Sequence, residues 1–309
     1  MRAVRIETYG PIDALELVEA PVPEPGPGQV LIEVHGSSIN PADIAIRNGW
    51  MADYVPISLP VVMGIDVAGV VARVGEGVTD LRAGDKVYGS AAAIMGGSGS
   101  FAEYAVSSPA LLARAPAGLD LAVAGTLPLA AISALEAVMD RLKVESGSRV
   151  LVHGSPGGVG PVAVALSKYL GGHVTATARG AGVGFMESSD ADVVVDTAAT
   201  DLASLGPFDH TLDLVGADPF EAVAVTRPGG RVVALRVPPD QEAAAQRGIS
   251  AELQGTMITT ERLDRLRDFV EKGIVKPHVV QTFGLEEIHQ AFGAKEAGGV
   301  HGKIGVSMR

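Results

Sequence analysis

The chain has 309 residues, 47% of them hydrophobic, and a formal net charge of −12. That is long enough for two domains with sizeable cores, and the acidic balance argues against nucleic acid or an anionic membrane surface as a main partner. There is no cysteine, which excludes disulfides, thiolate nucleophiles and every zinc site that needs sulfur.

Met1-Arg2-Ala3-Val4 runs straight into a strand-like pattern, without the charged and apolar segments of a signal peptide, so a cytoplasmic protein is expected. Residues 1–118 read as a strand-rich domain. Alternating runs such as Ala3-Val4-Arg5-Ile6 and Val30 to His35 are separated by the rigid connector Pro21 to Gly28. Short strands and tight turns continue through Val67–Val74, Gly75-Glu76-Gly77 and Gly84 to Gly89, the pattern of a small, irregular barrel. The most apolar stretch, Leu121 to Met139, carries Pro128, Ser133 and Glu136, and reads as a buried helix, not a membrane span. Over residues 119–262 strands alternate with helices, which implies a parallel sheet. The strand candidates are Arg149–His153, Val174–Thr177, Asp192–Val195, His210–Asp213, Arg231–Leu235 and a sixth near Ile249–Leu253. Residues 263–309 hold a helical pattern and a last strand, Lys303–Met308, which has no partner left in that sheet and is expected to return to the first domain.

The stretch Arg149 to Ser167 organises the second domain. A short apolar strand, a glycine-rich turn and a helix read as a dinucleotide pyrophosphate site, in which first-turn N–H groups meet the phosphate oxygens. The G-x-G-x-x-G register falls on Ser155, Gly157 and Gly160, so serine replaces the first glycine; Pro156, Gly158 and Val159 complete the loop. An NAD site places an acid after the second strand to hold the ribose 2′-hydroxyl, whereas an arginine accommodates a 2′-phosphate. Here the chain reads Thr177-Ala178-Arg179-Gly180, which favours NADPH; a solvated arginine beside a glycine turn is the plainer alternative.

The order of these parts resembles the medium-chain dehydrogenase/reductase superfamily. Pro23 to Gly28, Asn40-Pro41-Ala42-Asp43, Gly64 to Gly69, Gly84 to Gly89, Arg227 to Arg231 and His301-Gly302-Lys303-Ile304 are similar to its zinc-free, zeta-crystallin-like quinone oxidoreductase branch. The resemblance implies an α/β protein with a GroES-like β-barrel domain, a doubly wound Rossmann domain and a C-terminal return to the first domain. It further implies a nicotinamide cofactor in the cleft between the domains, and a homodimer. Zinc-dependent members carry a Cys where this chain has Asn40 and a His in the motif represented here by Gly64-Ile65-Asp66, so no metal is expected. Some relatives carry tyrosines near the positions of Ala45 and Thr197.

Asn40 precedes Pro41, which restricts it to an extended conformation at a strand-to-helix corner. It fits a simple turn residue, and by resemblance a group facing nicotinamide, its ribose or the acceptor oxygen. Trp50 and Tyr54 lie where relatives build one wall of the substrate pocket, Trp50 to pack against a planar acceptor and Tyr54 to bind it or donate a proton. Val215, Leu235, Arg236 and Lys303 are the remaining expected cofactor contacts. The expectation is an NADPH-dependent reductase of a quinone or of the C=C bond of an α,β-unsaturated carbonyl; the alternative is a non-catalytic NADPH-binding sensor or structural protein.

Overall fold

The computed structural model of the chain describes residues 1–53 and 57–309. They form two units: Met1–Ala130 with Ile258–Lys272 and Pro277–Arg309, and Ala131–Met257 with Gly273–Lys276. The first opens with β1 (Arg2–Ile6), β2 (Leu15–Glu19), β3 (Val30–Ser38), α1 (Pro41–Arg47), β4 (Val61–Val62), β5 (Asp66–Val74), β6 (Lys86–Ser90), β7 (Tyr104–Ser107) and β8 (Leu112–Arg114). Glycine and proline turns punctuate these short strands, so they pair as antiparallel neighbours.

The apolar run after β8 is broken where one helix was expected. It forms α2 (Leu121–Ala124), α3 (Pro128–Leu135) and a wide π turn, Glu136–Arg141. Pro128 lacks the N–H that would continue the first helix and instead occupies the start of the second.

The second unit carries β9 (Arg149–His153), α4 (Gly160–Tyr169), β10 (His173–Ala178), α5 (Ala181–Glu187), β11 (Val193–Asp196), β12 (Phe208–Asp213), α6 (Glu221–Ala224), β13 (Thr226–Ala234), α7 (Gln241–Gln246) and β14 (Ser250–Leu253). The sheet is parallel throughout, in the order β11-β10-β9-β12-β13-β14. Val150, Leu151 and Val152 are fully buried, as expected of a central strand covered on both faces. The order reverses between β9 and β12, which puts the ligand crevice of a doubly wound sheet at the carboxyl ends of those strands.

The chain then returns to the first unit through α8 (Thr260–Glu271), β15 (Val279–Gly284), α9 (Ile288–Glu296) and β16 (Lys303–Ser307). β16 pairs antiparallel with β3 and parallel with β15, giving the path β15-β16-β3-β5-β6-β8. Here the last strand joins the GroES-like unit, as the lack of a free partner in the parallel sheet required. Two polar anchors hold the returning segment. The buried Tyr88 hydroxyl donates to the Leu263 carbonyl at 2.6 Å, and Arg47, 2% exposed, pairs with Glu296 at 2.6 Å and lies 5.4 Å from the Phe292 ring centroid. Among the described residues no helix is long and apolar enough to cross a membrane.

Candidate active site

Strand register builds a buried polar cluster in the first unit. β3 and β5 pair Gly36 with Ala68, and two residues further along each strand lie Ser38 and Asp66, whose side chains meet. β16 and β3 pair Gly305 with Ser38, which brings Lys303 beside Asn40. The outcome is one connected network. Lys303 Nζ donates to Asn40 Oδ1 at 2.5 Å; Asn40 Nδ2 donates to Asp66 Oδ2 at 2.8 Å. Ser38 Oγ donates to the same carboxylate oxygen at 2.5 Å, and the Leu129 N–H donates to Asp66 Oδ1 at 2.8 Å. Lys303 Nζ itself lies 3.6 Å from Asp66 Oδ2.

Asp43, in the first turn of α1, accepts the Asn40 N–H at 2.8 Å through Oδ2, as the third helical residue does in a capping box. Its Oδ1 is buried without a hydrogen bond. Burial, reinforced by the neighbouring Asp66 charge, pushes the Asp43 carboxyl up to about 7, and burial lowers the Lys303 ammonium from its ordinary value. The cluster therefore sets the Lys303 ammonium 3.6 Å from the Asp66 carboxylate group, with a second carboxyl, that of Asp43, raised to about 7 beside them. Asn40 spends its amide on Lys303 and Asp66, so it presents an oriented, fully engaged group.

The resemblance pointed to Asn40 and Lys303 one by one; Asp66, which joins them, was missed, because only register reveals it. The capping spacing of Asn40 and Asp43 was readable. Trp50 is 70% exposed at the turn after α1, and Tyr54 lies outside the described residues. Ile65, at a position where the likeness expects a zinc ligand, is a buried aliphatic side chain. Among the described residues no three His, Asp or Glu side chains are gathered as a metal site.

In the second unit the glycine-rich turn joins β9 to α4 as expected. A Cβ on Gly160 would lie 2.0 Å from the Ser155 carbonyl oxygen, so only glycine lets the loop fold onto the first helical residue, while Gly157 has nothing within 4 Å of its own hypothetical Cβ. The N-terminus of α4 has no side-chain cap, leaving its first N–H groups available to an anion. Ser155 is fully buried and faces inward: both its N–H and its hydroxyl donate to the Thr177 carbonyl at 2.9 Å. Serine thus replaces the first glycine as a brace between loop and β10. Thr177 also braces the loop from its side chain, accepting the Gly154 N–H at 3.0 Å and lying 2.8 Å from His153 Nδ1. Asp213 Oδ1 accepts the Val215 and Gly216 N–H groups at 2.8 and 3.1 Å, which fixes the turn after β12.

Arg179 is exposed at the end of β10, with Nε donating to Thr197 Oγ1 at 3.0 Å. Val215, Leu235 and the exposed Arg236 follow the carboxyl ends of β12 and β13. The loop and the uncapped helix start fit the pyrophosphate of a nicotinamide dinucleotide.

Two family models match the chain: an alcohol dehydrogenase GroES-like domain over residues 26–117 and a zinc-binding dehydrogenase over residues 189–306. A chloroplastic quinone oxidoreductase from Triphysaria versicolor is 30% identical over 98% of this chain and 97% of that protein. The chloroplastic NADPH-dependent alkenal/one oxidoreductase of Arabidopsis thaliana is 35% identical over 98% of this chain and 78% of its own length. The structure of a quinone oxidoreductase from Coxiella burnetii superposes with a TM-score of 0.90 at 30% identity, covering 100% of this chain and 99% of that one.

Proposed function

Because the chain belongs to the quinone oxidoreductase branch of the medium-chain dehydrogenase/reductase family and is an oxidoreductase, we propose that it uses NADPH to reduce a quinone or the C=C bond of an α,β-unsaturated carbonyl, without zinc. The observation that carries the reading is the donor set of the GroES-like unit. Where relatives would place zinc ligands, Asn40 has its amide committed to Lys303 and Asp66, and Ile65 is apolar. Oxidation of a simple alcohol calls for a Lewis acid or an equivalent group to stabilise an alkoxide. A conjugated acceptor spreads its developing charge onto an oxygen that oriented donors and a fixed cation can stabilise.

The dinucleotide, when bound, supplies the hydride. This chain's residues do the holding: Pro156 to Gly160 cradle the pyrophosphate, Ser155 and Thr177 brace that loop, and Arg179 meets the 2′-phosphate. Val215, Leu235 and Arg236 line the rest of the dinucleotide path, and Lys303 fixes positive charge beside Asn40. Trp50 and Tyr54 are assigned to the acceptor, Tyr54 as a neutral phenol able to donate a proton. A homodimer and a cytoplasmic location belong to the same proposal; a sedimentation mass of one chain at micromolar concentration removes the dimer, and recovery in a membrane or organelle fraction removes the location.

Chelator-treated protein is expected to consume NADPH with a quinone or enone and to leave simple alcohols with NADP⁺ untouched. Efficient alcohol oxidation without acceptor reduction, or tightly bound zinc whose removal abolishes activity, overturns the reading. Arg179→Ala is expected to weaken NADPH about ten- to a hundredfold, the worth of a charge-assisted contact, and to leave NADH binding unchanged. Fluorescence titration checks this; equal losses for both cofactors sink the assignment.

A further inference from the structure

We propose that Thr197 is a positioning residue for cofactor selection: its hydroxyl clamps the Arg179 guanidinium so that the free edge of the fork is presented to a 2′-phosphate. The inference rests on the reading of Arg179 as the phosphate-recognising group. It goes beyond that reading by assigning the discrimination to a pair of residues.

The pair follows from register. β10 and β11 run parallel with Ala178 opposite Asp196, so the next residues, Arg179 and Thr197, emerge side by side at the carboxyl edge of the sheet. The Thr197 N–H donates to the Ala178 carbonyl at 3.1 Å, and its hydroxyl reaches the same oxygen at 3.4 Å. With its proton turned toward that carbonyl, the hydroxyl offers lone pairs to Arg179 Nε at 3.0 Å. A guanidinium is planar, so holding Nε fixes the direction of both Nη groups. The neighbouring acid, Asp196, accepts the Ala198 N–H at 2.9 Å through Oδ1 within its own turn. Arg179 is exposed and would otherwise sample many rotamers, each of which must be given up on binding.

The test compares Thr197→Val, Thr197→Ser and Arg179→Ala by the dissociation constants of NADPH, NADH and 2′-AMP. Valine keeps the shape and the backbone bond but removes the hydroxyl. Thr197→Val is expected to lower the NADPH to NADH affinity ratio by about two- to tenfold, the entropy of one immobilised side chain, with NADH binding unchanged and 2′-AMP weakened in parallel. Thr197→Ser is expected to restore the ratio. An unchanged ratio in Thr197→Val beside a reduced one in Arg179→Ala overturns the clamp and leaves the arginine assignment standing. Equal weakening of both cofactors by Thr197→Val overturns it as well, since that is the signature of a disturbed loop. An unchanged ratio in Arg179→Ala removes both the clamp and the reading beneath it.

Discussion

Asp43→Asn is expected to make the protein more stable than the parent at pH 8 and no more stable at pH 4. In the folded chain the Asp43 carboxyl sits at about 7 against an ordinary 3.8, chiefly because it is fully buried. Between those values the native state holds a proton that the unfolded chain has released, so stability falls as pH rises from about 4 to about 7 and levels off above. Three pKa units correspond to about 4 kcal/mol, the ceiling for this one group. Asparagine keeps an oxygen for the Asn40 N–H and has no proton to lose. Its amide nitrogen takes the place of Oδ1, which makes no hydrogen bond, and leaves two buried donors where a protonated acid leaves one, a cost that makes the variant the less stable of the two at pH 4 and trims its gain at pH 8. Urea unfolding of both proteins across this pH range is the check. Parallel curves would show that the Asp43 carboxyl has the same pKa in the folded and the unfolded chain.

Lys303→Met is the harsher change. Methionine keeps much of the lysine stem and deletes the charge, which leaves Asp66, 0% exposed, without its cation and Asn40 Oδ1 without its donor. Breaking a buried pair from one side costs roughly 3–5 kcal/mol, because the surviving charge is stranded. Adding Asp66→Asn is therefore expected to recover much of the loss and to make the two substitutions strongly non-additive. A cost below about 1 kcal/mol for Lys303→Met, or simple additivity in the double variant, would mean the cluster is not electrostatically coupled.

These two experiments concern a part of the molecule that local sequence reasoning could reach only piecemeal. The Rossmann unit was readable because each of its strands is a short apolar run flanked by turn and helix signals, and parallel order follows from that alternation. The break in the run from Leu121 was carried by Pro128, whose weight was underestimated against the strong apolar content around it. β15 was overlooked since three of its residues, Val280, Gln281 and Thr282, are exposed, so its pattern is weakly apolar. Asp66 lies 26 residues from Asn40 and Lys303 lies 263 residues from it. No local periodicity encodes such distances; they arise only when β3 takes β5 and β16 as neighbours in a fixed register. Thr197 was visible merely as a tyrosine that was not there, and its pairing with Arg179 needed the β10–β11 ladder.

The brace between His153, Thr177 and Gly154 also sets the surroundings in which an imidazole would have to take up charge. A backbone N–H can only donate, so Thr177 Oγ1 must accept from Gly154 and is free to donate its own hydrogen to His153 Nδ1. The other ring nitrogen, Nε2, lies 4.0 Å from a Glu221 carboxylate oxygen. Burial lowers the pKa of this ring, and the nearby Arg179 charge adds to that, against the opposite pull of Asp213 and Glu221. The glycine loop is thereby anchored to an imidazole whose charged form burial disfavours, so at the proposed phosphate site the positive potential is assigned to N–H groups and Arg179 instead of to this histidine.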